Sequence, residues 1–176
     1  MHNPFETEMS RTIYEGMSEH EHQRELFSWA ACVRLYGIEC ATRWAWLHPK
    51  TGMRERGYLK ENGESQNGDY RLDWLMAIPN AGHGARGSTG AVRGARMRAE
   101  GLRAGVADVF LPYPVSTQIG DFVPALWIEM KKRGGVVSAQ QDLFLLQMGG
   151  RGYKTKVCYG YFEAVNVITE YLSSNY

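Results

Sequence analysis

The sequence predicts an α/β fold in which helices flank a mixed sheet of about four strands. Three observations carry that expectation. Apolar residues recur at helical spacing in 18–36 and again in 161–173. Short apolar runs of strand length lie between them at 72–78, 107–111, 125–130 and 153–159. Each run is bounded by Gly, Pro or a helix-capping pattern, so the connections are short.

Composition allows such a core. The chain has 176 residues, 44% hydrophobic and 12% aromatic, enough for one domain with an insertion and too rich for global disorder. No apolar run reaches the roughly 18 residues of a membrane span. Residues 1–30 carry six acids against two bases and no apolar stretch, so no secretory signal is expected. The net charge of +1 argues against a globally basic nucleic-acid binder.

Element by element, residues 1–17 lack periodicity and are expected to form a flexible arm, leaving 18–176 as one domain. Ser18 followed by Glu21 is a capping box, and Leu26, Trp29, Ala30 and Val33 continue a helix to Tyr36. Residues 38–47 suit either a strand or a helix continuation, and 49–70 is polar and Gly-containing. Together 38–70 reads as an insertion. A strand at 72–78 ends at Pro79. Residues 82–105 hold seven glycines and five arginines against one acid. Strands follow at 107–111 and 125–130, separated by a Pro-rich loop. Ser138 caps a helix to about Met148, Gly149 and Gly150 stop it, and a strand and a last amphipathic helix complete the chain.

Metal-thiolate and disulfide chemistry are not written here. Cys32, Cys40 and Cys158 form no C-x-x-C pair, and His20 and His22, two apart on a helix, point to different faces. Acid and lysine at strand ends are harder to assign to packing. Glu129 and Lys131 project from one side of their strand, and Asp108 reaches the same place if the two strands are neighbours. Two carboxylates so placed repel unless a cation lies between them, and hard oxygen donors suit Mg²⁺ or Mn²⁺. A lysine beside such an ion can orient water and neutralise transition-state charge in phosphodiester hydrolysis.

These residues sit in a wider pattern. Glu19 with Gln23, then Ile78-Pro79-Asn80, Glu100-Gly101 through Gly105 to Asp108, Ile128-Glu129-Met130-Lys131, Ser138 to Gln141, and Gly152-Tyr153 follow one another in order. The series resembles the VRR-NUC branch of the PD-(D/E)xK nucleases over about 19–36 and 73–172. Departures are Ala81 where a Gly is usual, Ala107 where Pro often precedes the Asp, and Thr155-Lys156-Val157 in the last strand. Residues 38–70 are not explained by it. The resemblance implies a restriction-endonuclease-like three-layer fold and metal-dependent cleavage of DNA. It assigns the metal to Asp108, Glu129 and the Met130 backbone carbonyl, with Glu19 adding to the acidic site directly or through water. It places Lys131 at the water and Gln141 beside Lys131 or the nucleophile. It also implies branched DNA such as four-way junctions as substrate, a homodimer, and a bacterial or phage-infected cytoplasm, with no membrane and no organic cofactor.

The Gly/Arg segment is read as a DNA-contacting wall. Arg86, Arg93, Arg96, Arg98 and Arg103 stand against Glu100, and Lys132 and Arg133 are expected opposite them. Neutralising four to six phosphates would give a log–log salt slope of roughly −4 to −5. Gly82 to Gly87 also matches G-x-G-x-x-G, but its mid-chain place and the following glycines argue against a dinucleotide fold. A DNA-binding module that keeps the fold without cleaving is the alternative; it does not need Asp108, Glu129 and Lys131 together.

Overall fold

The computed structural model describes residues 12, 14–47, 68–79, 88–116 and 120–173, with the side chains of 44–47, 88–91 and 93 left out. The first helix, α1, spans Glu19–Leu47. It opens on the expected capping box, with Ser18 N–H donating to Glu21 Oε2 at 2.8 Å and Glu21 N–H to Ser18 Oγ at 3.3 Å. Leu26, Trp29, Ala30, Val33 and Tyr36 are buried along one stripe. At Gly37 (φ 81°) the axis kinks, and a second segment buries Cys40 and Ala41. Trp29 Nε1–H donates to Thr42 Oγ1 across the kink at 3.1 Å.

Short elements follow: a 3-10 turn at Tyr70–Leu72, β1 at Met76–Ala77, and helix α2 at Ser88–Ala99. Then come β2 at Val109–Leu111, a two-stranded ribbon of β3 (Val115–Ser116) with β4 (Phe122–Val123), and β5 at Leu126–Lys131. Helix α3 covers Ala139–Gly149, β6 Lys154–Tyr159 and α4 Tyr161–Ser173.

The mixed four-strand sheet forms, in the order β1-β2-β5-β6. The first two pairings are antiparallel and β5–β6 is parallel. Side chains alternate across β2 and β5. Val109, Leu111, Leu126, Ile128 and Met130 face the core shared with α1 and α4. Phe110 and Trp127 face the other way, stacked at 4.1 Å, and Phe144 of α3 meets Trp127 edge-on at 5.0 Å. Glu129 and Lys131 belong to that second face by the same alternation.

Four expectations need correction. The arm does not extend to residue 17: Tyr14 and Met17 are buried, and the Tyr14 hydroxyl bonds that of Tyr161 at 2.8 Å. The proposed insertion does not begin at 38, because 38–47 continues α1; residues 48–67 and 1–11 lie outside the described residues. The 72–78 run is mostly turn, since Asp69 caps a 3-10 helix there and only Met76–Ala77 pairs with β2. The Gly/Arg segment is helical over Ser88–Ala99 despite Gly90 and Gly94. Alanine and arginine, both good helix formers, supply six of its twelve residues.

One glycine ties β2 to α3. Gly105 has φ +81°, and a Cβ there would lie 2.7 Å from Gln140 Cβ. Gly105→Ala therefore combines backbone strain with a clash. It should cost on the order of 2 kcal/mol and lower the thermal midpoint by about 4–8 °C. An unchanged midpoint would mean that 105–108 is not held against α3.

Candidate active site

The β2–β5 register is the starting point. Val109 pairs with Ile128, so one step further Asp108 stands opposite Glu129. Facing side chains on antiparallel strands have Cβ atoms about 4.5–5.5 Å apart, and like charges there are destabilising. Asp108 Oδ2 accepts from Met130 N–H at 2.9 Å, which fixes its carboxylate at the end of β5.

Glu129 is fully buried. Its Oε1 accepts from Lys131 Nζ at 2.5 Å and from Gln141 Nε2. Its Oε2 is buried with no hydrogen-bond partner among the described residues. Burial, above all, pushes the Glu129 carboxyl up from 4.5 to about 7; the Asp108 charge and a side-chain hydrogen bond with Asp108 add to it, against the lowering effect of Lys131. For Lys131, burial works against the ammonium. The bond to Glu129, with Glu19 and Asp108 beyond it, outweighs burial and holds the pKa above the ordinary lysine value. Lys131 is therefore a cation here, and also donates to the Met130 carbonyl at 3.1 Å.

The surrounding elements converge on this pair. Gln141 completes the α3 capping box, its Oε1 accepting from Ser138 N–H at 2.9 Å, and its amide nitrogen is left to hold Glu129. Glu19, in the first turn of α1, lies 3.8 Å from Lys131 Nζ. The turn after β5 comes close as well. A Cβ on Gly135 would sit 2.9 Å from Lys132 O, 3.2 Å from Glu19 Oε1 and 3.3 Å from Lys131 Cδ. Residue-type reasoning did not single out Gly135; its place in a Gly-Gly turn behind the strand was the available signal.

A cleft of about 490 Å³ opens beside these groups, lined by Glu19, Gln23, Asp108 and Met130. Arg24, His20 and Phe27 of α1 also line it; none was among the expected site residues. Ile78 and Pro79, part of the noted sequence pattern, also line it, Ile78 N–H donating to the Asp108 carbonyl at 2.8 Å. Glu129 lies behind the wall and does not line the cleft.

A small hard cation fits the donor set. An unpartnered buried carboxylate oxygen faces a second carboxylate, and a carbonyl with one occupied lone pair stands beside them. Asp108, Glu129 and the Met130 carbonyl are the groups able to hold it. Among the described residues no group of three or more His, Cys, Asp or Glu is arranged around one point, and Glu19 is engaged on the Lys131 side. Direct ligation by Glu19 therefore has no geometric support.

The basic residues are more scattered. Arg96 pairs with Glu100 at 2.8 Å on the exposed face of α2, a contact worth about 0.3–0.5 kcal/mol. Arg98, Arg103 and Lys132 are exposed and make no ion pair among the described residues. Arg133 bonds Glu15. Arg86 lies outside the described residues, and Arg93 is described through its backbone alone.

Residues 87–162 match the model of the VRR-NUC domain. A solved structure described as a VRR_NUC domain protein is 19% identical, with a TM-score of 0.44, over 61% of this chain and 74% of that chain. No curated protein matches the chain. No helix among the described residues is long and apolar enough to cross a membrane.

The Glu129 environment makes a prediction about stability. Its folded-state pKa is raised, so the folded protein holds a proton that the unfolded chain has lost, and stability falls as pH rises from about 4.5 through 7. Glu129→Gln removes this titration. In EDTA, its urea midpoint should lose the fall between pH 5 and 8 that the Glu129 carboxyl gives the parent, so the difference between the two proteins changes steadily with pH across that range. Parallel pH profiles would contradict the raised pKa. Residues 87–162, which hold Asp108, Glu129, Lys131 and Gln141, are the part of this chain that is similar to the VRR-NUC domain.

Proposed function

We propose that the protein is a divalent-metal-dependent endonuclease that hydrolyses DNA phosphodiester bonds, acting on branched DNA such as four-way junctions, as a homodimer. The observation that supports it most is the buried, unpartnered Glu129 Oε2 opposite Asp108, with a charged lysine two residues along. Lys131, Gln141 and the raised Glu129 pKa lessen the repulsion between the two carboxylates, and a cation between them would remove it.

Bound Mg²⁺ or Mn²⁺ supplies Lewis-acid polarisation of the phosphoryl oxygen and lowers the pKa of water. The chain's own residues do the rest. Lys131, held as a cation, donates to the attacking water and balances negative charge developing on the phosphorus oxygens. Gln141 keeps the Glu129 carboxylate in one orientation, and Glu19 holds the ammonium towards the cleft from the opposite side. Arg98, Arg103 and Lys132 meet the phosphates of the flanking DNA.

The alternative of a non-catalytic DNA-binding module draws support from one observation, the absence of Glu129 from the cleft wall. It leaves the opposed carboxylates unexplained. A cleavage assay separates the two. Glu129→Ala and Lys131→Ala should each lower Mg²⁺- or Mn²⁺-dependent cleavage at least about 100-fold while retaining DNA binding. Full activity in either variant, or cleavage by the parent in EDTA, rejects the mechanism. Binding without cleavage by the parent favours the module. Arg98→Ala combined with Arg103→Ala should weaken binding to every sequence and flatten the log–log salt slope by about 2. An unchanged slope removes these residues from the DNA path.

A further inference from the structure

The cleft lining has two chemically different parts. Glu19, Gln23 and Asp108 give the lining its polar part, and Phe27, Ala77, Ile78 and Pro79 its apolar part, which begins beside the carboxylates because Ile78 N–H donates to the Asp108 carbonyl at 2.8 Å. On α1, residues 20, 23, 24 and 27 share a face, since they are three, four and seven apart. Phe27 is eight residues beyond Glu19, about 12 Å along the axis at roughly 1.5 Å per residue. The wall therefore reaches well past the space of one phosphate group. Phe27 packs on the core but remains partly open; Ile78 is half-buried, and Ala77 and Pro79 are exposed.

Arg24 lines the same cleft. Its side chain is 58% exposed, and its one ion pair among the described residues is a 3.4 Å contact with Glu25. Adjacent residues on a helix do not face each other, so that pair leaves the guanidinium fork available to an anion. The cleft volume of about 490 Å³ lies within the roughly 300–1,000 Å³ of small-ligand sites. A nucleotide fits.

We propose that the apolar part is a subsite for one unpaired nucleotide next to the scissile phosphodiester, its base lying against Phe27 and the Ile78–Pro79 wall and its phosphate on Arg24. The inference rests on the nuclease reading of the same cleft and narrows its substrates to DNA with an unpaired base beside the cut. Every base has a π-face, so an aromatic wall selects for accessibility and not for sequence. A paired base must first leave its stack, at a cost that is least where the base is already unpaired.

The test compares three labelled DNAs of one sequence: a continuous duplex, the same duplex with one unpaired nucleotide, and that DNA with the unpaired position abasic. Dissociation constants are measured by anisotropy in EDTA, and cleavage of the same DNAs is followed in Mg²⁺. The unpaired DNA should bind about 10-fold more tightly than the other two. Phe27→Leu should erase that preference with duplex affinity unchanged, and Phe27→Tyr, which keeps the aromatic face, should retain it. Arg24→Gln should weaken all three and reduce the salt slope by about 0.7–0.9, one phosphate contact. Equal affinities of the parent protein for the three DNAs overturn the subsite, whether or not cleavage occurs. A retained preference without cleavage of any DNA upholds the subsite and rejects the nuclease reading.

Discussion

Antiparallel pairing of β2 with β5 sets two things at once. The register that joins Val109 to Ile128 turns Val109, Leu111, Ile128 and Met130 towards the α1–α4 core. It also brings Asp108 and Glu129 face to face at the strand ends. Because side chains alternate, a slip of one residue would send the apolar set to the wrong face. The core thus enforces the opposition of the carboxylates. The repulsion is tolerated because Lys131 and Gln141 both donate to Glu129 and because the carboxyl holds its proton more tightly than usual.

Each helix contributes to that one arrangement through local chemistry. Gln141 serves α3 as the second half of a capping box and serves Glu129 with the amide nitrogen that capping leaves over. The capping box at Ser18 and Glu21 starts α1 where Glu19 reaches Lys131. Buried His22 then seats α1 on α4, its Nδ1 accepting from Tyr161 N–H at 3.4 Å. Burial lowers the His22 pKa, as suits a neutral ring used for packing. Gly135 lets the turn after β5 pass beside the lysine stem. The site is therefore assembled from element termini, where backbone and side chains are already constrained by capping.

Much of this was legible in the sequence because it depends on periodicity and on local signals. The capping box at Ser18 and Glu21, the Ser138 cap, the last helix at 161–173 and the alternation of Glu129 with Lys131 follow from spacing alone, and all are present. What failed to show depends on tertiary contact. Tyr14 and Met17 read as an arm because two apolar residues have no period, yet the ring of Tyr161 gives Tyr14 a partner 147 positions away. Residues 38–47 were ambiguous because Gly37 breaks the pattern without ending the helix. The glycines of α2 hid a helix rich in alanine and arginine. The grouping of Asp108, Glu129, Lys131 and Gln141 was legible, whereas Arg24 and Phe27 as lining of the neighbouring cleft were not, since a cleft wall is a property of packing and not of spacing.

The central claim is that Asp108 and Glu129 are opposed in order to hold a divalent cation. The most direct measurement is a Mn²⁺ titration of the DNA-free protein at pH 8, read by electron paramagnetic resonance. The account predicts saturable binding by the parent protein that is lost in both Asp108→Asn and Glu129→Gln, with the fold retained in each. Binding that persists unchanged in both variants, or no saturable binding by the parent, would contradict it.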